Sequence, residues 1–99
     1  MSDDFGFGLP AFKPDEGLVK LQRALREAGL AARGAQFERG GLALVRADVV
    51  AGELRVGLVK RPSRSSPEWT DKVLRDGAQL RDFIALVQKN LKAWSDRDE

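Results

Sequence analysis

The amino-acid pattern predicts an α+β fold: an antiparallel three-stranded meander with helices packed on one face, in the order α-β-β-β-α-α. Three observations lead there. Apolar residues recur at helical spacing near both ends of the chain. Two β-branched and apolar segments lie between them, and glycine-bearing turns separate the segments. A length of 99 residues suits one domain with a modest core. The expected organisation is an arm over 1–13, a body over 14–95 and an acidic tail over 96–99.

The arm, MSDDFGFGLPAFK, carries glycines and a proline that argue against helix. It either docks in extended form through its phenylalanines or stays disordered. The first helix starts at Pro14, with Asp15 and Glu16 in its first turn. Leu18, Leu21, Leu25 and Ala28 form one apolar stripe. Gly29 is placed to close the helix, with Leu30 supplying the apolar contact of such an end.

Residues 35–61 read as three strands. With Ala51-Gly52 as a two-residue loop, Val49 faces Leu54, Ala47 faces Val56 and Val45 faces Leu58. A one-residue slip would set apolar against charged residues, so the face pattern selects this register. Ala51 is a poor residue for the positive φ that such a loop needs. The strand around AQFE is expected to join through a three-residue loop, Arg39-Gly40-Gly41, which puts Phe37 opposite Ala43. One side of the sheet then carries Phe37, Ala43, Val45, Val49, Leu54, Val56 and Leu58 toward the helices. The other carries Leu42, Leu44, Arg46, Asp48, Arg55, Gly57, Val59 and Arg61, with Asp48 and Arg55 as a cross-strand ion pair.

Ser66-Pro67-Glu68-Trp69 has the residues of a helix start and predicts a short helix carrying Trp69 and Val73. Asp76-Gly77-Ala78-Gln79 is a variant capping box for a longer one. Its stripe is Leu80, Phe83, Ile84, Val87, Leu91 and Trp94.

The chain has no histidine, cysteine or tyrosine. That removes the side chain best suited to proton transfer near neutrality and the usual zinc and copper ligands. Neither a cofactor nor a metal is expected. Asp71, Asp76 and Asp82 are read as solvated or capping carboxylates rather than a magnesium or acid–base set. Ser66 lacks a base and an elbow motif. A non-enzymatic role is therefore expected. Lys13 to Lys92 contains 16 basic and 10 acidic residues, so the body is basic. No apolar run approaches the roughly 20 residues needed to span a bilayer. The acidic start lacks a secretory pattern, and the cysteine-free composition suits the cytoplasm. Arginine outnumbers lysine, a bias common in GC-rich bacterial genomes.

Two surfaces stand out. The reverse side of the sheet, with Leu42, Leu44, Arg46, Arg55, Val59 and Arg61, mixes charge with apolar area and is expected to bind a protein partner or a second copy of the chain. Gly57 would admit close approach of that partner. The second surface is Lys60, Arg61, Arg64, Ser65 and Ser66, which could bind an anion or phosphate at the expected helix start. A nucleic-acid-binding domain using these residues with Arg46 and Arg55 is the alternative. The face has no aromatic residue for base stacking, and Trp69 and Trp94 are read as core or edge residues.

The order helix–three strands–helix resembles that of the double-stranded-RNA-binding domain. That family starts its last helix with lysines and carries a histidine in its first hairpin loop. Ser66-Pro67-Glu68-Trp69 and the absence of histidine depart from both features. The resemblance is one of element order alone.

Overall fold

The structure, a computed structural model, describes residues 12–97. Most of the arm and the last two residues of the tail lie outside the described residues. The class is α+β, as the sequence predicts. The strand count and the middle of the second half differ: five antiparallel strands lie between two helices. The elements are α1 (Pro14–Glu27), β1 (Ala31–Arg33), β2 (Gln36–Arg39), β3 (Leu42–Val50), β4 (Glu53–Val59), β5 (Trp69–Leu74) and α2 (Gly77–Arg97). The strands follow chain order across the sheet, so every connection within it is a hairpin. The α-β-β-β-α-α order is thereby corrected, and the likeness to the double-stranded-RNA-binding domain goes with it.

Helix α1 begins at its proline and ends as its sequence specifies. Gly29 takes φ +96°. The Leu30 N–H donates to the Leu25 carbonyl at 3.0 Å, and the Gly29 N–H to the Arg26 carbonyl at 3.0 Å. This is a Schellman end, and Leu25 and Leu30 are both buried beside it. Gly17 lies where the helix meets the sheet. A methyl group there would come within 2.7 Å of the Phe12 ring and 3.1 Å of Leu54. Glycine lets the helix approach this closely without displacing either side chain.

The β3–β4 hairpin has the expected register, with Val45↔Leu58, Ala47↔Val56 and Val49↔Leu54. Its loop holds Ala51 at φ 53° and Gly52 at φ 76°. Pairing of the apolar faces outweighs the strain on Ala51.

The β2–β3 hairpin departs from expectation. Its loop is Gly40-Gly41 alone, with φ 63° and 82°, so Arg39 pairs with Leu42. Carried on unbroken, that register would set Phe37 against Leu44 and turn it to the wrong side. A bulge between Phe37 and Glu38 repairs the parity, pairing Phe37 with Val45 rather than Ala43. The tight turn that two glycines favour and the burial that Phe37 needs are both satisfied, at the cost of one unpaired residue in β3.

The segment 66–75 is not a helix. Residues 60–68 form the β4–β5 connection, closed by the Lys60 N–H donating to the Glu68 carbonyl at 2.9 Å. Strand β5 then pairs along β4 from Val59↔Trp69 to Leu54↔Leu74. The helix-start residues end as loop because β4 offers a partner edge and Leu74 needs burial beside Leu54. Asp76 does cap α2: its Oδ1 accepts the Gln79 N–H at 2.7 Å, while Gln79 Oε1 accepts the Arg75 N–H at 2.6 Å. One buried cluster joins Leu21 and Leu25 of α1, the helix-facing sheet residues, and Leu80, Phe83, Val87, Leu91 and Trp94 of α2.

Candidate interaction face

Alternation along β3, β4 and β5 assigns each residue to one side. Val45, Ala47, Leu54, Val56, Leu58 and Leu74 are buried toward the helices. On the reverse side the register builds rows. One row is Arg46, Gly57 and Asp71, and the next is Asp48, Arg55 and Val73. Val50 and Glu53 follow, with Arg75 just beyond the end of β5.

Arg46 is the centre of this side. Its Nη2 lies 2.7 Å from Asp71 Oδ1 and 3.0 Å from Oδ2, and its Nε lies 3.2 Å from Oδ1. The guanidinium also stacks on Trp69, 4.4 Å from the ring centroid. To reach Asp71 from β3 the side chain must cross β4, and it crosses at Gly57. A methyl group at Gly57 would lie 2.7 Å from Asp71 Oδ1 and 2.9 Å from Arg46 Nε. The space that the sequence leaves for a partner is therefore filled from within. Farther along, Arg55 donates to Glu53 Oε1 at 3.1 Å, and Arg75 lies 3.9 Å from Glu53 Oε2. Arg55 and Asp48 face each other in register, but Arg55 turns along its own strand to Glu53. Asp48 Oδ1 accepts the Val49 N–H at 2.9 Å, and Asp48 has no ion-pair partner among the described residues.

A shallow depression of about 550 Å³ lies over these rows, lined in part by Arg46, Asp48, Arg55, Asp71 and Val73. Three cations (Arg46, Arg55, Arg75) meet three anions (Asp48, Glu53, Asp71) on this side, so it is balanced rather than basic.

Of the residues expected on a partner face, Arg46 is half-exposed, while Arg55 and Arg61 are exposed. Leu42 is half-buried. Leu44 and Val59 are only 2% and 1% exposed and belong to the core cluster, so neither offers contact area. Arg61 sits in the β4–β5 connection, beyond the end of the strand.

The expected anion residues do share one loop. Arg61, Ser63, Ser65, Ser66 and Glu68 line a pocket of about 260 Å³. Ser63 Oγ accepts the N–H groups of Ser65 and Ser66 at 3.3 and 3.2 Å. Two amides that would face an anion are thus already satisfied, Glu68 adds negative charge, and no helix N-terminus stands behind them. No group of three or more carboxylates among the described residues is placed to hold a metal ion. No described helix is long and apolar enough to cross a membrane.

Asp71, Trp69, Val73 and Glu53 belong to the reverse side and were not expected there. Their signal in the sequence is the two-residue alternation of Trp69, Asp71 and Val73, masked by the Ser-Pro-Glu start before it. No family model, curated protein or solved structure matches this chain.

Proposed function

We propose that the chain is a small non-enzymatic interaction module that docks protein through the reverse side of β3, β4 and β5. The observation behind this reading is the exposed part of the reverse side around Arg46, Asp48, Arg55 and Val73. It presents an exposed, fixed and charge-balanced pattern over a shallow depression. Interleaved charges of both signs, held by ion pairs, suit recognition of another patterned protein surface. They suit a polyanion poorly, because binding to phosphates draws on uncompensated lysine and arginine. The basic excess of the body lies instead largely on α2 and in the 60–68 loop.

The test is affinity capture from the source organism with the immobilised chain. Arg55→Glu and Val73→Asp are compared with Lys89→Glu on the outer side of α2. Capture lost in the first two and kept in the third supports the reading. Capture that ignores all three contradicts it. Titration with generic duplex and single-stranded nucleic acid at low salt is expected to give no steep, salt-dependent binding. Such binding would favour the loop residues Lys60, Arg61 and Arg64 as a phosphate contact.

A further inference from the structure

We infer that a second copy of the chain adds to the outer edge of β5, antiparallel, about a two-fold axis through Thr70. This edge is a different surface from the reverse side, and the inference stands independently of the docking role above.

The sheet ends in β1, of three residues, and β5, of six, and no strand lies outside β5 among the described residues. The Lys60 N–H donates to the Glu68 carbonyl, and these two residues continue the β4–β5 register by one step beyond Val59↔Trp69. Bonded and unbonded pairs alternate along an antiparallel ladder. Glu68, Thr70, Lys72 and Leu74 therefore turn their backbone groups to β4. Trp69, Asp71 and Val73 turn theirs outward. Arg75, the next in that series, gives its N–H to the Gln79 side chain and not to β4. Thr70, Asp71 and Lys72 are all exposed, so this stretch of edge is open to solvent. A row of outward N–H and C=O groups is a template for another strand.

The side chains decide which strand fits. A two-fold axis normal to the sheet keeps each side of the sheet continuous, so odd residues oppose odd and even oppose even. Centred on Asp71, the pairing sets that carboxylate against itself. Centred on Lys72, it sets lysine against lysine. Centred on Val73, it calls on the Arg75 N–H, which Gln79 already holds. Centred on Trp69, it sets Asp71 against Pro67, which has no N–H to give. Centred on Thr70, the pairing sets Glu68 opposite Lys72 of the second copy, and Lys72 opposite its Glu68. Neither residue has an ion-pair partner among the described residues. Thr70 meets Thr70, a favourable cross-strand pair. Trp69 and Asp71 of one copy exchange backbone bonds with Asp71 and Trp69 of the other. Pro67 ends the ladder just beyond. A lysine on an edge strand ordinarily deters pairing; here it selects one register. The two five-stranded sheets become one, with the two α2 starts at opposite ends of the contact.

A single strand pair falls well below the ~800 Å² per partner of a stable interface, so association is weak and concentration-dependent. Sedimentation equilibrium on the full chain, from about 0.05 to 1 mM at low salt, reads it. The wild-type average mass should climb from 10.9 kDa toward twice that value. Glu68→Lys and Lys72→Glu each place like charges at both ends of the contact and should weaken association at least about tenfold. The double variant reverses both signs and should restore it, while Lys89→Glu should behave as wild type. Amide exchange supplies a second reading that needs no variant. The Trp69 and Asp71 amides should exchange more slowly at the high concentration than at the low one, and the Thr70 amide, bonded to β4, should not change. A wild-type mass fixed at 10.9 kDa overturns the inference. So does association that ignores the single charge changes, stays lost in the double variant, or leaves the Trp69 and Asp71 amides unprotected.

Discussion

Gly57 decides how Arg46 is used, because any side chain there would occupy the path of its guanidinium to Asp71. The cost of filling that path is nonetheless small. The nearest atoms belong to side chains that can move, and an exposed ion pair contributes about 0–1 kcal/mol. Glycine inside a strand costs roughly 0.5–1 kcal/mol relative to alanine. Gly57→Ala is therefore expected to change stability by less than about 0.5 kcal/mol in urea melts. It should also shift Trp69 emission, read in a Trp94→Phe background, as the guanidinium leaves the ring. A loss above ~2 kcal/mol would mean that the backbone, not the pair, is obstructed. Ala51 is the opposite case, a residue held at φ 53° against its preference. Left-handed backbone costs an ordinary residue about 1–2 kcal/mol, and asparagine tolerates it better. Ala51→Asn should stabilise by about 0.5–1 kcal/mol and raise Tm by a few degrees, since 1 kcal/mol corresponds to roughly 4–8 °C at this size.

Elements were legible where one local signal was decisive by itself. The β3–β4 register follows from parity alone, because a slip would expose a whole apolar face. The end of α1 at Gly29 and the start of α2 at Asp76 follow from single residues whose hydrogen bonds form as their chemistry demands, and Pro14 opens α1 without a side-chain cap. Asp76→Ala should cost α2 its cap, about 1 kcal/mol within the usual 0.5–2 range, measured by thermal melting. No change would contradict the bond to Gln79. Strand β5 was hidden by a local signal that tertiary pairing overrides: Ser66, Pro67 and Glu68 suit a helix start, but β4 has a free edge and Leu74 is buried beside Leu54. Strand β1 has three exposed residues and no apolar pattern to find. The bulge in β3 arises from a conflict between a two-glycine turn and the burial of Phe37, and neither segment reveals it alone.

For the molecule as a whole, the misplaced strand changes the meaning of the surface. With 69–74 helical, the reverse side holds Arg46, Arg55 and Arg61 against Asp48 and looks basic. With 69–74 as a strand, Asp71 joins it and Arg61 leaves it, and the side becomes balanced. Arg46 and Arg55 were thus legible as residues of the reverse side, while the loss of Arg61 and the neutralising Asp71 were not. The case for a protein partner over nucleic acid turns on that one element. Backbone chemical shifts and cross-strand nuclear Overhauser effects, recorded on the labelled protein, test it most directly. The expected result is extended-chain shifts over residues 69–74, with contacts linking Gly57 to Asp71 and Arg55 to Val73. Helical shifts over that segment, without those contacts, would remove the balanced face and the interaction built on it.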